Sequence, residues 1–176
     1  YGIVDASAAE AAPAEKADAA GGAAECEAIL RSLPEWFGQE GAIRDWRGDL
    51  PFLETCAALE DGRIVGFVCL KDLQPRLAEI HVIAVRREWH RRGVGRALVE
   101  HAERACLARD ITALEVKTLG PGEPDEAYAG TRAFYAAMGF ELGGPIIKDK
   151  LWFYVGFSPR FVRSDITRET KRRKYY

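Results

Sequence analysis

The stretch Glu79-Ile-His-Val-Ile-Ala-Val-Arg-Arg-Glu-Trp-His-Arg-Arg-Gly-Val-Gly-Arg-Ala-Leu98 constrains the fold more tightly than any other part of the chain. Leu77–Val85 is an apolar run of strand length. A short basic turn with two glycines follows, and then Val94, Leu98, Ala102 and Ala105 recur at helical spacing. A strand that passes through a tight turn straight into a helix commits the chain to a sheet with that helix packed on its face. The turn aims several backbone N–H groups one way at the positive end of the helix, which suits a phosphate or pyrophosphate. Gly93 and Gly95 let a ligand reach the backbone with no Cβ in the way. Arg86, Arg87, Arg91, Arg92 and Arg96 add positive charge around the same spot. A phosphorylated cofactor is the first expectation.

The other elements complete an α/β reading. Gly2–Asp5 reads as a short strand, and helices are expected over Glu25–Ser32, stopped by Pro34, and over Glu40–Arg47. Two apolar runs, Phe52–Glu60 and Arg63–Leu70, flank Asp61-Gly62, a strong hairpin signal. Thr112–Leu119 is a further strand and Ala127–Met138 a further helix, stopped by Gly139. The order of helices, hairpin, strand, helix, strand, helix predicts a sheet of mixed strand directions.

Two nucleotide signatures fail here: no Gly-Lys-Ser/Thr is present, and Leu98 stands where the dinucleotide fingerprint needs a third small residue. His90-Arg91-Arg92-Gly93-Val94-Gly95 instead resembles motif A of the GCN5-related N-acetyltransferases, Gln/Arg-x-x-Gly-x-Gly/Ala, with His90 in the place of the usual Gln or Arg. Thr131-Arg-Ala-Phe-Tyr-Ala-Ala-Met-Gly-Phe140 resembles motif B of the same family. Two motifs in order, with a strand between them, are far more specific than either alone, and the likeness runs from Cys26 to Phe140. It implies a central, mostly antiparallel mixed sheet flanked by helices, and acetyl-CoA as co-substrate. It further implies that the backbone of a bulged strand at Ile83, Ala84 and Val85 binds the pantetheine arm. The pyrophosphate would lie on His90, Arg91, Arg92, Gly93, Val94, Gly95 and Arg96.

An attacking amine must lose a proton. Strict strand alternation puts Glu79, His81, Ile83 and Val85 on one face and Ile80, Val82 and Ala84 on the other. In the histone-acetylating branch of the family a glutamate eleven residues before motif A is the general base, and Glu79 stands eleven residues before His90. That register implies Glu79 as the base, with His81 as second choice. Tyr135 occupies the position whose hydroxyl, in many relatives, protonates the departing thiolate. Tyr128 falls where many relatives have an Asn that contacts the coenzyme. Trp36, Phe37 and Trp46 are candidates for the acceptor wall.

Composition excludes little beyond this. Hydrophobic content of 48%, 30% charged residues and a net charge of −2 describe an ordinary globular domain with no overall affinity for polyanions. No apolar run reaches the ~18 residues of a membrane-spanning helix, and the start lacks signal-peptide features. Cys26, Cys56, Cys69 and Cys106 have no metal-ligand spacing, so no metal is expected. Reduced core thiols are expected, although their spacing does not itself decide against a disulfide. The expected organisation is an Ala-rich flexible lead-in over 1–24, one domain over 25–157 and a basic tail over 158–176. A cytoplasmic monomer or homodimer acting on a small-molecule or peptide amine, with no nucleic-acid or membrane partner, is the leading expectation. A non-catalytic acyl-CoA sensor on the same fold is the alternative. One segment departs from the family: Gly143–Phe161 does not look like its last two strands and resembles part of TonB-dependent outer-membrane receptors. Leu151–Phe157 alone still has the make-up of a strand.

Overall fold

Asp61 and Gly62 both adopt the left-handed conformation, φ 49° and 75°, as a two-residue hairpin turn requires. They join β2 (Glu54–Glu60) to β3 (Arg63–Gln74). The computed structural model describes residues 2–5, 18–119, 126–147 and 151–156; the expected basic tail and residues 6–17 of the expected lead-in lie outside them. β1 (Gly2–Asp5) adds to the outer edge of β2, and β4 (Leu77–Val85) runs antiparallel to β3. β5 (Ala113–Leu119) lies beside β4 and parallel to it. The hairpin of β6 (Phe140–Ile147) and β7 (Leu151–Gly156) completes a seven-stranded sheet of order β1-β2-β3-β4-β5-β7-β6.

The last two strands complete the sheet, as the strand-like make-up of Leu151–Phe157 allowed, although the sequence there does not resemble the family's ending. β7 inserts between β5 and β6, pairing from Leu114–Gly156 to Leu119–Leu151. Its Leu-Trp-Phe-Tyr-Val core has strong strand preference, and β5 would otherwise present a bare edge.

β3 is buried without a break from Ile64 to Leu70, because helices cover both faces of the sheet. On one side lie α1 (Asp18–Arg31), α2 (Pro34–Phe37) and α3 (Glu40–Asp49). Cys26, Ile29, Leu30, Leu33, Ile43 and Trp46 pack there against Ile64, Phe67 and Cys69. α1 begins at Asp18 rather than Glu25, so Gly21-Gly22 does not stop it. Alanine-rich sequence favours helix, and docking of its apolar face supplies the rest. Pro34 ends α1 and opens α2, a role suited to its fixed φ. On the other side, α4 (Val94–Ala108) buries Val94, Leu98, Val99, Ala102 and Cys106 against Val65, Val68 and Leu70. α5 (Glu126–Ala137) brings Tyr135 into the same layer. The four cysteines are buried free thiols. Burial pushes the Cys26 thiol up to about 12 and the Cys106 thiol up to about 11. Among the described residues, no helix is long and apolar enough to cross a membrane.

Candidate active site

The site begins where β4 and β5 part. Their pairing runs from Leu77–Ala113 to Ile80–Val116, and that is its last rung. Opposite the same point β4 carries a bulge: Cys69 pairs with Val82 but Leu70 with Ile80, leaving His81 as the extra residue. The bulge overturns the strict alternation expected from the sequence. Ile80 packs with Ile83 and Val85 in the α4 layer, while Val82 and Ala84 pack in the layer of α1 and α3. One inserted residue moves every later side chain to the other face.

The bulge also decides what the backbone offers to the gap. Arg86 N–H donates to Val65 O at 2.9 Å, so Gly66–Val85, and by alternation Val68–Ile83, are pairs that do not bond each other directly. The N–H and C=O groups of Ile83 and Val85 therefore point away from β3 into the gap, and those of Ala84 point toward β3. His90 closes one of these positions: its Nε2–H donates to Val85 O at 2.7 Å, tying the glycine turn to the end of β4.

In the turn itself Arg91 and Gly93 are left-handed, φ 61° and 84°. Gly93 is the N-cap of α4, with no side-chain cap and no acidic residue in the first turn. The first intrahelical bond closes at Ala97 N–H to Gly93 O, 3.0 Å, so the N–H groups of Val94, Gly95 and Arg96 have no acceptor within the helix. The expected basic residues divide. Arg91 and Arg96 line the cavity beside this terminus. The Arg92 guanidinium instead lies 4.9 Å over the Trp89 ring. Arg86 Nε donates to Ile64 O at 2.8 Å, and Arg87 pairs with Glu35 of α2. The Val94 side chain is fully buried in the core and leaves only its backbone to the site.

Gap and turn open on one cavity of about 630 Å³. Its walls include His81, Ile83, Ala84, Val85, His90, Gly93 and Gly95, with Phe134 and Tyr135 from α5, Met138 just past its end, and Leu33, Trp36 and Phe37 from the far side. α2 reaches across to α5 over it: Trp36 Nε1 donates to Thr131 Oγ1 at 3.1 Å, and the Tyr128 hydroxyl donates to Trp36 O at 3.4 Å. Trp46, by contrast, is a core residue stacked obliquely on Phe67. Tyr135 is 3% exposed between Phe134 and Phe140, and burial holds its phenol above the ordinary range. Burial lowers the His81 imidazole, with Lys71 and Lys117 acting in the same sense and Glu79 and Asp49 against it. Glu79 is 6% exposed and accepts a hydrogen bond from Lys117 Nζ at 2.7 Å. It is Lys117, not Glu79, that lines the cavity.

Two cavity residues carry no motif and escape sequence reasoning. Lys117 was visible only as a cation two residues after Glu115 on an alternating strand. Thr118 Oγ1 is fully buried with no hydrogen-bond partner among the described residues, in a residue that lines the cavity.

Residues 24–140 match the model of the acetyltransferase (GNAT) family. An uncharacterized N-acetyltransferase of Chlorobaculum tepidum is 29% identical over 92 residues, which is 52% of this chain and 52% of that protein. The chain thus spans about half the length of that curated relative. A separate local likeness, 63% over 31 residues, is to the TonB-dependent transporter Oar of Myxococcus xanthus, and covers 18% of this chain but 3% of the transporter. In fold, the chain is similar to the PaiA N-acetyltransferase of Thermoplasma acidophilum, solved in complex with coenzyme A. The TM-score is 0.64 at 14% identity, over 78% of this chain and 94% of that one. The family match, the forked β4–β5 pair and the uncapped helix terminus agree, and the chain belongs to the GNAT acetyltransferase family.

Proposed function

We propose that the protein transfers an acetyl group from acetyl-CoA to a primary amine by direct attack in a ternary complex. The observation that carries this is the union, in one cavity, of the β4–β5 fork and the uncapped N-terminus of α4. The fork exposes backbone donors at Ile83 and Val85, which suits an extended amide-bearing arm. The helix terminus, with Arg91 and Arg96, suits the pyrophosphate at the other end of such an arm.

The thioester supplies the activated acetyl group, and the chain does the rest. A backbone N–H of Ile83 or Val85 polarises the carbonyl at the place where negative charge develops. The attacking nitrogen loses its proton to the side of the fork that carries His81 and Glu79. The Tyr135 phenol, held protonated by burial, gives a proton to the leaving sulfur. The PaiA enzyme holds coenzyme A on the same fold, which supports the choice of co-substrate. A small-molecule or peptide amine is the proposed acceptor.

Thiol release from acetyl-CoA, followed with a panel of primary amines, tests this. Amine-dependent release is expected, with kcat down ~100-fold in Tyr135→Phe and acetyl-CoA binding retained. Tight acetyl-CoA binding with no release for any amine would replace the enzyme by an acyl-CoA sensor.

A further inference from the structure

We infer that Lys117 clasps Glu79 at the crotch of the fork, and that His81, positioned by Asp49, is the group that takes the proton from the amine. This deepens the transfer reading of the same site and rests on it. Glu79 and Glu115 are direct neighbours across the parallel β4–β5 ladder. Two carboxylates side by side on adjacent strands repel. Lys117, two residues beyond Glu115 and the first past the last rung, places its ammonium between them, 2.7 Å from Glu79 and 3.7 Å from Glu115. Separating a buried carboxylate from the cation that bonds it is costly. Glu79 is therefore committed to holding the two strands together where they begin to diverge, and it does not reach the cavity surface.

His81 has the access that Glu79 lacks. As the bulged residue it lines the cavity, with its side chain 24% exposed. Its Nε2 lies 3.7 Å from Asp49 Oδ2 at the end of α3, a long ion-pair contact, and Asp49 in turn accepts from Lys71 Nζ at 3.0 Å. The charged groups around the ring are Glu79 on its own strand, Lys71 from β3, Asp49 from α3 and Lys117 from β5. Burial keeps the ring neutral at pH 7, ready to accept a proton, and the Asp49 and Glu79 carboxylates favour the imidazolium once formed. The step balances as follows: the amine nitrogen bonds to the acyl carbon, the carbon–sulfur bond breaks, His81 gains the amine proton and Tyr135 gives one to the thiolate.

The test has two arms. In the first, the pH dependence of kcat is followed by thiol release from acetyl-CoA with phenethylamine, spermidine and a glycyl tripeptide as probe amines. His81→Gln loses the acidic limb and about 100-fold in kcat. Glu79→Gln keeps the limb and moves it to lower pH, because an anion beside the ring has gone. Asp49→Asn also moves it down, and Lys71→Met moves it up. A limb that survives His81→Gln, or vanishes in Glu79→Gln, overturns the assignment. In the second arm, thermal melts of Lys117→Met, Glu79→Gln and the double variant measure coupling. Lys117→Met alone lowers Tm, and the double variant recovers most of the loss. Additive losses overturn the clasp. Wild type that binds acetyl-CoA but releases thiol with no probe overturns the transfer reading and the role of His81 with it, while the melts judge the clasp independently.

Discussion

A buried hydroxyl without a partner costs about 1–3 kcal/mol, and Thr118 Oγ1 has none among the described residues. Thr118→Val, nearly the same shape, is expected to raise Tm while weakening acetyl-CoA binding several-fold; a fall in Tm with unchanged affinity would show the hydroxyl to be structural. Tyr135 and the cysteines set the alkaline limit of the fold. Burial raises the Tyr135 phenol and the Cys26, Cys69 and Cys106 thiols, so these groups stay neutral in the native chain after their counterparts in the unfolded chain have ionised. Their contribution is complete below the unfolded values and is lost as pH rises. The thiols act first, above about 9 and through about 11 to 12 for Cys106 and Cys26. The expected slope is at most about 1.4 kcal/mol per pH unit for each thiol, measurable as a falling urea midpoint between pH 8 and 11. Replacing Cys26 by Ala would flatten that slope. Residue identity made Tyr135 and the glycine turn legible in the sequence. It could not show Thr118 or Lys117, whose importance comes from where the strands separate.

At the scale of elements, the strand–turn–helix unit is where local pattern and fold agree most closely. β4 spans Leu77–Val85 and α4 starts at Val94, both as the apolar spacing predicts. The family resemblance implied a bulge in β4, but its place at His81 was not legible, because no local residue preference marks it. It exists through the mismatch between β3 and β4, and with it went the expected faces of Ile80, Ile83 and Val85. α2 was missed for a similar reason: four residues carry no periodicity, and their position comes from contacts with α5 across the cavity. Gly66 of β3 links packing to the site. A Cβ there would meet Ala84 O at 3.0 Å, Val85 Cγ2 at 3.1 Å and Leu98 Cδ1 at 3.3 Å. Gly66→Ala is expected to cost ~1–3 kcal/mol in urea unfolding and, by displacing the end of β4, to weaken acetyl-CoA binding. Leu98→Ala, a fully buried truncation on α4, is expected to cost ~2–5 kcal/mol, with a smaller effect on affinity, since it leaves the β4 backbone in place. Equal losses of affinity in the two variants would contradict the assignment of the arm to β4.

For the whole molecule, the sheet leaves no room for a dispensable C-terminal segment before Gly156. β7 holds the edge of β5 on one side and β6 on the other. The sequence left open whether the transporter-like stretch is a foreign ending or an ordinary pair of strands; its local likeness stands, and Leu151–Gly156 nonetheless pairs with both β5 and β6. Pairing partners, not composition, decide what a strand belongs to, and here β5 supplies them. A chain ended at Gly139 would expose β5 along its length and is expected to aggregate or to lose cooperative melting; a soluble, cooperatively folded product would contradict the sheet order. The central claim, that the turn before α4 holds the phosphates of acetyl-CoA, is tested most directly by calorimetry on the wild type beside Gly95→Glu. The substitution sets a carboxylate in the first turn of the helix, where it suits the helix dipole but repels a phosphate. Micromolar binding of acetyl-CoA by the wild type, lost in a variant that still folds, is the predicted result. Binding of equal strength by both proteins, or none by folded wild type, would contradict it.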